Sequence, residues 1–189
     1  MLNFRNTCLA LTLVAASTAS ASASPLVGNG DFQTGNFTGW TVNESTNFPW
    51  SVAHSGSNFY ASDGCVGQPC ITGPMSSQSY LYQDIATVAG NTYSLTFDFG
   101  TNGAGNPMEL RAYFGGTLAA DLLNVAPLPT STYTINGLVA TENSTRLEFL
   151  GRQDPGFDYL DNISVIESGA PSAVPEPATL GMVGTGVMV

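Results

Sequence analysis

The chain has 189 residues, fourteen Asp and Glu, four Arg and no Lys, for a formal net charge of −10. So few cations leave no basic patch, which excludes the electrostatic footprint of a nucleic-acid binder and attraction to anionic lipid. A single His and three Cys also leave little for a His/Cys metal site.

The N-terminus reads as a leader. Arg5 supplies a positive start, Cys8 to Ala16 an apolar stretch, and Ala21-Ser22-Ala23 the small residues that a signal peptidase accepts. A signal peptide over residues 1–23 is expected, with cleavage before Ser24. Its apolar run is too short for the ~20 residues of a membrane-spanning helix. Without it, three arginines stand against fourteen acids, and three minus fourteen gives −11.

Residues 24–167 make one domain, large enough for a real core. Its first phrase, Leu26 to Gly35 followed by Gly39-Trp40, is rich in turn formers, and Trp40 after a glycine turn is expected in the core. Val52 to Ser57 follows, and its His54 suits a turn or core hydrogen bond better than catalysis. Cys65 and Cys70, in Gly64-Cys-Val-Gly-Gln-Pro-Cys70, are then the only cysteines of the mature chain. In an oxidising compartment they are expected to close a short disulfide loop.

From there the period is two. Leu81 and Ile85 alternate with Tyr82 and Asp84. Tyr93, Leu95, Phe97 and Phe99 alternate with Ser94, Thr96 and Asp98. Met108, Leu110, Ala112 and Phe114 alternate with Glu109, Arg111 and Tyr113. Tyr133 and Ile135, then Leu147 and Phe149 between Arg146 and Glu148, and finally Ile163 and Val165 continue the pattern. Gly, Asn and Pro turn signals bound each run. Many short strands with one apolar face each must pack as two sheets over a shared core. The expected fold is therefore all-β, a two-sheet antiparallel β-sandwich of jelly-roll type.

The order of these phrases resembles galactose-binding-like jelly rolls of the carbohydrate-binding-module type. Leu26 to Gly35 with Gly39-Trp40 looks like their opening strand, Leu81 to Phe97 like their central hairpin, and Tyr159 to Val165 like their last strand. The resemblance implies that the first and last strands lie side by side. It also implies a structural Ca²⁺ there, around Asn29, Asp31, Gln33 and Asp161. Ca²⁺ takes six to eight oxygens, carboxylates among them, and the neutral Gln33 stands where such modules often carry Glu.

The C-terminus returns to processing signals. Residues 168–173 are small and Pro-containing, as in a linker. Val174-Pro175-Glu176-Pro177-Ala178 before an apolar run resembles the PEP-CTERM sorting tail of Gram-negative exoproteins. That family closes with a longer apolar helix and a basic cluster, so residues 174–189 read as an incomplete or degenerate tail. The resemblance implies export to the cell surface or beyond, sorting machinery as a partner, and membrane contact only through the tail.

Catalysis has no motif to rest on: no nucleophile elbow, P-loop or dinucleotide fingerprint occurs, and no acid pair sits in a glycosidase pattern. A non-enzyme is expected. Two functions fit: non-catalytic binding of envelope or exopolysaccharide glycans, or a structural matrix role without a discrete ligand. For the first, the outward positions of the central strands supply aromatic planes and polar groups. With those strands as neighbours, Tyr82, Asp98, Arg111 and Tyr113 share one ligand-binding face.

Overall fold

The computed structural model describes residues 24–43, 50–64, 79–102, 108–125, 130–153 and 156–169. The expected leader, the Cys65 and Cys70 loop and the sorting tail lie outside the described residues. Ten strands form: β1 (Thr41–Asn43), β2 (Ser51–Ser55), β3 (Asn58–Ser62), β4 (Ser79–Ala86), β5 (Thr92–Thr101), β6 (Met108–Phe114), β7 (Thr117–Leu123), β8 (Ser131–Val139), β9 (Ser144–Gln153) and β10 (Asp158–Gly169). They make two five-stranded antiparallel sheets, the first in the order β1-β4-β9-β6-β7 and the second in the order β2-β3-β10-β5-β8. The expected sandwich is the observed one. No helix among the described residues is long and apolar enough to cross a membrane.

The alternation read from sequence sets the burial. Met108, Leu110, Ala112 and Phe114 of β6 point inward, and Glu109, Arg111 and Tyr113 are only partly covered. Tyr93, Leu95, Phe97 and Phe99 do the same on β5, and Leu147 and Phe149 on β9. Phe97 and Phe149 meet edge to face across the two sheets, 5.4 Å between centroids at 78°. Tyr133 stacks on Phe97 at 5.5 Å. Offset and edge-on contacts of this kind add to the area that each ring buries. Gly115 and Gly116, with φ of 57° and 77°, join Phe114 to Thr117. Two consecutive positive φ values make the primed turn whose twist matches a hairpin.

The N-terminal segment lies beside β10, as the resemblance implies. Leu26 N–H donates to the Val165 carbonyl at 2.8 Å, and Ile163 N–H to the Gly30 carbonyl at 2.9 Å. The approach is so close that a Cβ on Gly30 would come within 2.0 Å of the Ile163 oxygen. Beyond it Phe32 and Trp40 fold into the core 5.8 Å apart, and Trp40 Nε1 donates to the Asn29 carbonyl. Trp40 is thus a core residue, as expected. His54 instead lies exposed on β2, its ring 5.7 Å from that of Phe59. Being on an edge strand, it faces solvent and not a core hydrogen bond.

Candidate functional site on the outer face of the first sheet

β9 runs between β4 and β6, so its outward side chains lie between theirs. Tyr82 is in register with Glu148, and Glu148 with Tyr113. This sets a carboxylate between two tyrosines in one row across three strands. The register also puts Tyr80 beside Leu150 and Leu150 beside Arg111, and Arg152 beside Glu109. Arg111, Arg146 and Arg152, every Arg or Lys beyond Arg5, thus stand on the outward side of this one sheet.

Arg146 organises one end of the row. Its Nε donates to Asp84 Oδ1 at 2.8 Å and its second terminal nitrogen to Asp84 Oδ2 at 3.0 Å. Its guanidinium carbon lies 4.0 Å from the centre of the Tyr82 ring. This bidentate bond holds the Asp84 carboxyl below the usual carboxylate range. The planar cation stacked on Tyr82 fixes that ring's tilt. The Glu148 carboxyl is raised above its ordinary value by partial burial, opposed by the Arg146 charge. Arg111 is held by Glu109 and, at 3.4 Å, by Asp121. Thr41, Val42, Tyr80, Tyr82, Arg146 and Glu148 line a groove of about 350 Å³ along the β1 side.

The structure brings together three of the four residues expected to share a face: Tyr82, Arg111 and Tyr113. Asp98 is not among them. It belongs to β5, in the opposite sheet, where its carboxylate accepts from Thr132 Oγ1 and from Asn162 Nδ2. Alternation fixes which side of its own sheet a residue takes, but not which sheet the strand joins. Tyr80, Arg146 and Glu148 complete the face in its place. The signal for them was the alternation of Arg146 and Glu148 with Leu147 and Phe149, which carried no hint that β9 inserts between β4 and β6.

A second cleft, of about 480 Å³, lies on the outer side of the second sheet and is lined by Ser55, Asn58, Tyr60, Asp98, Thr130, Tyr159, Asp161 and Asn162. Its carboxylates are already engaged within the protein. Asp161 Oδ2 accepts from Asn58 Nδ2 at 3.0 Å and Oδ1 from the Asn162 N–H at 2.8 Å. The neighbouring candidates for Ca²⁺ behave in the same way. Gln33 Nε2 donates to the Asp31 carbonyl, Asn58 Oδ1 and the Phe59 carbonyl. Asn29 Nδ2 turns to the carbonyls of Asn36 and Thr38. An amide nitrogen thus stands among the oxygens of Asn29, Asp31, Gln33 and Asp161. Among the described residues no group of three or more His, Cys, Asp and Glu gathers as for a metal ion.

No protein-family model matches the chain, and no characterised protein matches its sequence. Solved structures match its fold. A family 61 carbohydrate-binding module in complex with β-1,4-galactotriose is 15% identical with a TM-score of 0.54, covering 77% of this chain and 99% of its own. A xylan-binding domain from Paenibacillus barcinonensis is 12% identical with a TM-score of 0.54, covering 80% and 99%. The enzymatically active domain of a bacteriophage CBA120 tailspike protein is 14% identical with a TM-score of 0.56, covering 76% of this chain but 21% of its own. At these identities the likeness is one of fold: this chain has the jelly-roll sandwich of carbohydrate-binding modules.

Proposed function

We propose that the domain binds a polysaccharide without catalysis, on the outer face of its first sheet. The observation that carries this reading is the row Tyr82, Glu148, Tyr113, with Arg146 and Arg111 on either side. A sugar ring has apolar C–H faces that lie on aromatic planes and hydroxyl edges that pair with carboxylates and guanidinium groups. Flat faces of strands hold such groups at fixed spacing, which limits the ordering cost of binding. The glycan-binding neighbours of the same fold support the class of ligand.

The leader and tail support the setting: a protein exported by its signal peptide, handled by sorting machinery through residues 174–189, and working at the cell surface or in the matrix around it. Cys65 and Cys70 form a disulfide there, so thiol titration of unreduced protein should find neither thiol free. The test of binding is a set of isotherms against acidic and neutral matrix polysaccharides. Saturable binding that falls at least tenfold in a Tyr82→Ala, Tyr113→Ala double variant is expected. Binding that survives the double variant removes this face, and no binding to any polysaccharide favours a structural matrix role.

A further inference from the structure

At one end of the sandwich the apolar interior gives way to oxygen. Asp63 follows β3, Asp158 opens β10 and Thr101 closes β5, so the three lie side by side across neighbouring strands of the second sheet. Asp158 N–H donates to the Asp63 carbonyl at 2.7 Å, and Asp158 is in register with Thr101. The two carboxyl groups are only 3% and 0% exposed. Asp63 reaches toward the first sheet: a Cβ on Gly151 of β9 would meet Asp63 Oδ2 at 2.7 Å and Trp50 Cζ2 at 2.6 Å. Gln153, two residues further along β9 and wholly buried, brings an amide oxygen to the same end.

Asp158 lacks what a buried acid ordinarily has. Neither oxygen of Asp158 has a well-formed hydrogen bond, and the Thr101 hydroxyl is the group that stands nearest to supply one. No arginine among the described residues answers the two carboxyls, since Arg111, Arg146 and Arg152 lie on the outward side of the first sheet. Protonation alone does not resolve all of this, because an O–H donated from one carboxyl to the other, or to the Gln153 amide oxygen, leaves further buried lone pairs unmet. A divalent cation does: its charge cancels two carboxylates, and it accepts lone pairs from every oxygen present.

We propose that Asp63 and Asp158 hold a Ca²⁺ ion inside this end of the sandwich, with Thr101 and Gln153 as neutral oxygen ligands. The donor set is all oxygen, which selects a hard cation over zinc or copper. The site is separate from the cluster around Asp161, whose oxygens are bonded within the protein. It ties β3, β10 and β5 to β9 at the margin of the core, and so has a structural role.

The experiment uses the exported full-length chain, stripped with EDTA and then titrated with CaCl₂ or TbCl₃. Tb³⁺ shares the oxygen preference of Ca²⁺ and emits when a nearby tryptophan is excited, and the Trp50 ring meets Asp63 at Gly151. Millimolar CaCl₂ should raise the Tm by several degrees over EDTA, and Tb³⁺ should give sensitised emission that excess Ca²⁺ displaces. Asp158→Asn should lose both responses and Asp161→Asn should keep them. Trp50→Phe should lose most of the emission while keeping the Ca²⁺ shift in Tm, which serves if Asp158→Asn does not fold. Absence of both responses in the wild-type chain overturns the proposal. So does a response that survives Asp158→Asn and disappears in Asp161→Asn.

Discussion

Gln83 is bonded to Gly28 through both ends of its amide: Oε1 accepts the Gly28 N–H at 2.8 Å and Nε2 donates to the Gly28 carbonyl at 3.1 Å. The same Nε2 donates to the Gly39 carbonyl at 2.8 Å. One inward side chain of β4 thereby does for the N-terminal segment what a strand partner would do, and holds Phe32 and Trp40 over the core. Gln83→Leu keeps the volume and strands three backbone groups. Gly28 and Gly39 are themselves exposed, so water replaces part of what is lost; at about 0.5–1.5 kcal/mol for each hydrogen bond, the expected loss is about 1–3 kcal/mol in denaturant unfolding. A loss under about 0.5 kcal/mol, as at surface sites, would show that the segment is held by packing alone.

Phe97 tests the core. It is fully buried, stacked on Tyr133 and edge-on to Phe149 from the opposite sheet. Phe97→Ala should lower stability by about 3–5 kcal/mol. Arg146→Ala, half exposed and paired with the half-exposed Asp84, should stay within about 1 kcal/mol.

The buried acids set a pH dependence in chelated protein. Burial raises Asp63 to about 7, opposed by the Gly64 N–H, and raises Asp158 to about 9, with the Asp63 charge adding to the rise. Between the ordinary carboxylate range and those values the folded chain binds more protons than the unfolded one, so stability falls as pH rises from about 4 to about 9. In EDTA the Tm should therefore drop across this window by more than in Asp158→Asn. A Tm in EDTA that climbs from pH 5 to pH 8 would contradict the assignment.

Deleting residues 174–189 should change where the protein accumulates and leave the unfolding of the domain unaltered. Fractionation of producing cells reads the first and thermal melts of the purified chain read the second. A lowered Tm in the deletion would mean that the tail packs on the sandwich.

The fold was legible because both sheets bury one face. Tyr93 to Phe99 and Met108 to Phe114 announce their inward residues by simple alternation, and a slip of one residue would turn every one outward. The site was legible only in part. Tyr82, Arg111 and Tyr113 were placed on a common face because each opposes an apolar neighbour on its own strand. Asp98 satisfies the same rule and lies on the other side of the molecule, since the chain crosses to the second sheet between β4 and β5. Glu148 reaches Tyr82 and Tyr113 only because β9 enters between strands that precede it. Asp63 and Asp158 meet for the same reason, across strands that are distant in the chain. Pairings of that kind are decided by topology, and no local pattern carries them.

The three arginines also give the molecule a direction. The side that bears Tyr60, Asp98 and Tyr159 carries acids and no Arg or Lys among the described residues, and the side that bears Tyr82 and Tyr113 carries Arg111, Arg146 and Arg152. So uneven a distribution is an electric dipole across the thin axis of the sandwich. The chain carries −10 overall and four acids stand among the arginines of that face, so an anionic polymer is repelled from every side and least from the tyrosine face. The repulsion acts over roughly a Debye length, about 8 Å at physiological ionic strength. Added salt should therefore speed association with an acidic polysaccharide, by screening that repulsion.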